Sequence, residues 1–150
     1  MLFRSLLLAA EPEAAEAELV RSIQNDLFDV GADLCRPQPA EEASGQRLRI
    51  QPEHAKRLEQ AIDRLNARLA PLTSFVLPGG KPAAWCHLAR TVCRRAERDV
   101  VTLGQAETVN PEVMIYLNRL SDLLFVLARV YNSSGHDDVL WVPGKTLSER

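Results

Sequence analysis

The chain has 150 residues, 46% of them hydrophobic and 25% charged, and a net charge of −2. That length allows one domain with a proper core and not two ordinary ones, and the balance is that of a soluble globular fold. The slight negative charge provides no global field for nucleic acid, and aromatics at 5% supply few stacking platforms for single strands, so any anion site must be a local cluster.

The apolar run in the first ten residues is too short for a signal-peptide core or a membrane span. The cysteines, Cys35, Cys86 and Cys93, form no C-x-x-C pair. On one helix Cys86 and Cys93 stand roughly 10 Å apart, too far for a disulfide. Free thiols and a cytoplasmic location are the reading.

Glu13 to Glu18 form an acidic, alanine-rich helix start, and Leu19, Ile23, Leu27, Val30 and Leu34 continue it at helical spacing. Arg36-Pro37-Gln38-Pro39 ends it, and the polar segment to Gly45 is expected to be a mobile loop. Pro52 suits the first turn of a second helix, with Leu58, Ile62, Leu65 and Leu69 as its buried stripe and Pro71 as its close. Residues 71–82, rich in Pro and Gly, cannot continue a helix; their apolar members predict an ordered loop tucked against the body.

A third helix is predicted over residues 83–103. Trp85, Ala89, Val92, Cys93, Ala96, Val100 and Leu103 form its buried face. Arg90, Arg94 and Arg98, four residues apart, stack on the other face with Glu97 beside them. Such a ladder of guanidinium forks suits an anion with several oxygens, and equally suits a solvated surface. Asn110-Pro111-Glu112 reads as the N-cap, first-turn proline and first-turn acid of a fourth helix. That helix is apolar around most of its girth, which makes it the central helix or part of a subunit interface. Its polar exceptions, Asn118, Asp122 and Arg129, fall on one line and are expected to pair with a neighbouring helix, the ladder being the obvious place. The tail from about residue 133 is polar apart from residues 139–143, which are expected to dock on the body. No strand-like alternation of useful length exists, so the fold class is all-α: an up-and-down helix bundle forming a single domain over residues 1–150.

Several motifs fail. Gly144-Lys145-Thr146 ends like a P-loop, but residue 139 is Val where the first glycine belongs. The repeated Glu-x-x-His of di-iron bundles is missing. Cys86, His87 and Cys93 offer no convergent zinc set, and His54 and His136 read as surface residues. One short ladder gives too few phosphate contacts for nucleic acid.

Three motifs, Phe75-Val76-Leu77-Pro78-Gly79-Gly80, His87-Leu88-Ala89-Arg90-Thr91-Val92-Cys93-Arg94-Arg95-Ala96-Glu97-Arg98 and Tyr116-Leu117-Asn118-Arg119-Leu120-Ser121-Asp122-Leu123-Leu124-Phe125, together resemble the trimeric ATP:cob(I)alamin adenosyltransferases. Residues 23–31 fit the same family, and the likeness covers about residues 19–132. The resemblance implies a five-helix bundle and a homotrimer with active sites between subunits. The implied reaction moves the 5′-deoxyadenosyl group of ATP to cobalt and releases triphosphate. By position, Arg90 and Arg94 would be catalytic, Arg90 through an intersubunit ion pair, and Arg94, Arg95, Glu97, Arg98 and Asn118 would bind ATP. Phe75 would lie against the lower face of cobalamin. Mg2+ would accompany ATP, no metal ligand is assigned to the protein, and the product would be handed over to a cobalamin-dependent enzyme, with no nucleic acid or membrane as partner. The family's glycine-rich phosphate loop and the Val-Asp-Glu-Leu-type helix after it have no counterpart here; residues 6–10 look like the end of that first helix, truncated. The alternative is a non-catalytic trimeric bundle that binds corrinoid or only assembles.

Overall fold

The computed structural model describes residues 14–37, 45 and 47–147. Four α-helices carry the fold: α1 (Ala14–Leu34), α2 (Pro52–Asn66), α3 (Lys81–Leu103) and α4 (Pro111–Val130). The expected end of a first helix at residues 6–10 and most of the loop at 38–46 lie outside the described residues.

The start signals work as their chemistry requires. The Asn110 side chain accepts the Glu112 N–H at 3.1 Å, capping α4 ahead of Pro111. Gln51 caps α2 through a reciprocal box with His54, whose Nδ1 accepts the Gln51 N–H at 3.1 Å. His54 is half-buried by this, edge-on to Tyr116, rather than a plain surface residue.

The fourth helix is central. Val113, Tyr116, Leu117, Leu120, Leu123, Leu124, Leu127 and Ala128 are buried in one core with Leu58, Ala61 and Leu65 of α2 and Cys86, Ala89 and Cys93 of α3. Burial on three sides explains why hydrophobic residues surround so much of its girth. The buried stripe of α3 is narrower than its sequence predicts: Trp85, Val92 and Ala96 are half-buried and Leu103 is exposed. Under α4, Asp33 of α1 accepts the Ile50 N–H at 2.8 Å and the Asn110 Nδ2 at 2.7 Å, and pairs with Arg49 at 2.7 Å. This fully engaged carboxylate holds the end of α1, the chain before α2 and the cap of α4 together.

Two short strands were not foreseen. Val76–Leu77 (β1) pairs antiparallel with Val139–Leu140 (β2), with Val76 opposite Leu140. Residues 71–80 are therefore ordered by the tail and not by the body: the Phe75 ring is 77% exposed. After α4 the chain turns through Ser133 (φ 53°), Ser134 (φ 53°) and Gly135 (φ 84°), three successive left-handed residues. The turn brings Asp138 back onto Arg129. Among the described residues no helix is long and apolar enough to cross a membrane.

Candidate functional site

The ladder of α3 faces α4 along part of its length, and there it is wired. Arg94 Nη1 pairs with Glu97 Oε2 at 2.5 Å. The other Glu97 oxygen accepts the Asn118 Nδ2 at 3.0 Å, and Asn118 Oδ1 accepts the Arg119 Nη2 at 2.7 Å. Arg119 then pairs with Asp122 at 3.4 Å. Five side chains from two helices thus form one continuous polar wall. Glu97 is held at both oxygens, so it fixes Arg94 while the rest of that guanidinium fork faces outward. Arg98 donates to the Arg94 carbonyl at 3.2 Å and is exposed, as is Arg95. The wall is cationic, anchored at its base and open at its tips.

Behind it the cysteines are inert. Cys93 donates its thiol to the Leu117 carbonyl at 3.2 Å, and burial pushes both Cys86 and Cys93 up to about 12. They are free, packed thiols, as expected.

Arg90 belongs to a different neighbourhood. Its guanidinium carbon lies 4.9 Å above the Phe125 ring, and His87 meets that ring edge-on at 6.2 Å. Burial first, and Arg90 second, hold His87 below its ordinary range. Phe75 and Trp141 complete this corner, edge-on with ring centroids 5.9 Å apart. Together with Leu72, Thr73, Ser74 and Val76 these residues line an open cleft of about 710 Å³. Of the seven predicted site residues, then, Arg94, Glu97 and Asn118 are joined by hydrogen bonds, Arg95 and Arg98 flank them, and Arg90 and Phe75 line the cleft.

The polar line on α4 behaves differently from its prediction. Only Asn118 reaches α3. Asp122 pairs with Arg119 on its own helix, a turn away, where the exposed surface lets both side chains stay hydrated. Arg129 is buried and pairs with Asp138 of the tail at 2.7 Å, while its Nη2 donates to the Ala70 carbonyl at 2.8 Å. Gly79 sits so close to Asn132 that an added Cβ would meet its amide nitrogen at 2.8 Å. Three residues escaped the sequence reading: Arg119, Phe125 and Trp141. Phe125 had a signal, since 118, 122, 125 and 129 follow the 4-3-4 spacing of one helical face.

Among the described residues, Asp26, Asp29 and His54 are the one trio of metal-ligating types close enough to share an ion. They have other work. Asp26 Oδ2 accepts the Tyr116 hydroxyl at 2.8 Å and pairs with Arg57. His54 Nδ1 is an acceptor in the helix cap, which places the ring proton on Nε2 and not a metal.

Comparison with known proteins gives this arrangement its relatives. A family profile described as cobalamin adenosyltransferase matches residues 2–131. A cobalamin adenosyltransferase of Cupriavidus metallidurans is 51% identical over 132 residues, covering 87% of this chain and 67% of that protein. A corrinoid adenosyltransferase of Mycobacterium tuberculosis is 49% identical over 141 residues, covering 92% of this chain and 72% of its own. Among solved structures, a variant PduO-type ATP:corrinoid adenosyltransferase from Lactobacillus reuteri, complexed with cobalamin and ATP, superposes with a TM-score of 0.80 at 32% identity, over 93% of this chain and 80% of that one. The chain belongs to the cobalamin adenosyltransferase family, a family of transferases.

Proposed function

We propose that this chain transfers the 5′-deoxyadenosyl group of ATP to the cobalt of cob(I)alamin, forming adenosylcobalamin. The observation that carries the reading is the wired wall of Arg94, Glu97, Asn118 and Arg119 standing on the same pair of helices as an aromatic cleft. The names of the relatives, and a neighbour solved with both cobalamin and ATP, support it.

The chemistry asks little of acids and bases. Cob(I)alamin is the nucleophile; a Co–C bond forms as the C5′–O bond breaks, and the electron pair leaves with triphosphate. What must be stabilised is the charge gathering on that leaving group. Arg94, Arg95 and Arg98 are suited to this, each offering charge-assisted bonds worth about 1.5–3 kcal/mol. Because Glu97 and Asn118 hold Arg94 in advance, little reorganisation is left for the moment of reaction. In this reading Asn118 and Glu97 position, Arg94 is catalytic, and Arg90 with Phe75 faces the corrinoid, Phe75 against its lower side.

Magnesium has no seat in this wall. Both Glu97 oxygens are engaged and Asp122 is paired with Arg119, so the residues present do not fit a protein-held ion. Mg2+ enters only as the companion of ATP's phosphates. The reading also carries a homotrimer, supported by the exposed apolar side chains Phe28, Leu88, Val101 and Ile115, and a cytoplasmic single-domain protein that hands its product to a cobalamin-dependent enzyme. Light scattering should then give three times the chain mass.

The direct test is anaerobic. Chain, ATP and chemically reduced cob(I)alamin are mixed, and adenosylcobalamin and triphosphate are quantified together. Equimolar formation of both supports the reading; ATP binding without either product would leave a non-catalytic bundle.

A further inference from the structure

We infer that Trp141 is a second aromatic wall of the corrinoid site, packing with Phe75 against the flat corrin macrocycle. This rests on the function proposed above, and it concerns a residue outside the segment, residues 2–131, that matches the family.

Four observations carry it. Trp141 is 44% exposed and Phe75 77% exposed, side by side, so two large rings stand in water unless something covers them. Their backbones are locked together: the Trp141 N–H donates to the Phe75 carbonyl at 2.8 Å, and the Ser74 hydroxyl donates to the Trp141 carbonyl at 2.7 Å. The pair therefore moves as one body, which a tail merely resting on the surface would not require. Below them, the buried Arg129 guanidinium bonds both Asp138, three residues before Trp141, and the Ala70 carbonyl at the root of the Phe75 loop. One cation thus sets the position of both rings. Finally, the cleft they line contains no carboxylate; its polar members are Thr73, Ser74, His87 and Arg90, the last already stacked on Phe125.

An uncharged, aromatic-sided cleft of this kind fits a broad, rigid ring with apolar faces. A purine base could also stack on tryptophan, so the two substrates must be separated by experiment. Trp141→Ala is expected to raise the KM for cob(I)alamin by roughly ten-fold while leaving the KM for ATP within about two-fold of the parent. Trp141→Phe should restore most of the loss, because an aromatic face is retained. A second readout is the electron paramagnetic resonance of cob(II)alamin bound with saturating ATP. The nitrogen splitting from the lower axial base, suppressed in the parent protein, should persist in Trp141→Ala.

An unchanged KM for cob(I)alamin, a rise confined to ATP, or no rescue by Trp141→Phe would each overturn the assignment. If the parent chain forms no adenosylcobalamin, the functional proposal fails on its own. Trp141 is then judged by equilibrium titration with cob(II)alamin, where equal affinity of parent and Trp141→Ala would sink it. Far-UV circular dichroism of both variants guards against a folding artefact.

Discussion

The polar wall and the aromatic corner share the same two helices and are stabilised in opposite ways. In the wall, the residues offered to a ligand hold each other: Arg94, Glu97, Asn118 and Arg119 form their network at the surface, within reach of solvent. In the corner, Phe75 and Trp141 are held by something they never touch, the buried pair of Arg129 and Asp138. A surface ion pair contributes little to folding, whereas breaking a buried one leaves a desolvated charge behind. The wall should therefore tolerate mutation structurally and fail functionally. The corner should do the reverse when its anchor is cut.

The largest effect is expected from Asp138→Ala. Arg129 keeps its bond to the Ala70 carbonyl but loses its counter-charge, at a cost of about 3 kcal/mol or more. Urea denaturation measures this. ATP binding by the wall should survive under conditions where the variant is folded. If Asp138→Ala is as stable as the parent, the corner has another anchor and the contrast is wrong.

Arg94→Ala should act on ligand alone. Losing one or two charge-assisted bonds weakens ATP binding by about ten- to a hundred-fold, read by titration calorimetry. Folding stability should change by no more than about 0.5 kcal/mol, since the ion pair with Glu97 is partly solvated. A variant that loses stability instead would show the wall to be structural.

The smallest effect concerns His87, in the corner. Its folded value lies below that of the unfolded chain, because burial and Arg90 disfavour the imidazolium. The stability it contributes is thus present above about pH 6.5 and is lost as the pH falls through the folded value, the unfolded chain taking up the proton first. Denaturation midpoints should decline below pH 6.5, and His87→Phe should flatten that decline. The residue faces Asp138 as well as Arg90, so Asp138→Ala should steepen it.

The wall was more legible in the sequence than the corner, and for a physical reason. Arg90, Arg94 and Arg98 lie on one helix with a fixed period, and Asn118 lies on another, so spacing alone aligned them. Asn110-Pro111-Glu112 announced α4 because caps are local chemistry. The corner depends on contacts that have no period. Strands of two residues leave no alternation to read, and β1 pairs with a segment some sixty residues away. The partner of Arg129 lies nine residues ahead, past three left-handed residues that only the backbone reveals. Phe125 was the near miss: it completes the line of Asn118, Asp122 and Arg129, but a phenylalanine on an apolar helix draws no notice until Arg90 is found above it.

That two walls serve two substrates is the central claim, and one steady-state experiment tests it. The KM for ATP and the KM for cob(I)alamin are measured anaerobically for the parent, Arg94→Ala and Trp141→Ala. The account predicts a clean crossing: Arg94→Ala raises the first and spares the second, and Trp141→Ala does the opposite. Both substitutions moving the same constant, or neither moving any, would contradict it.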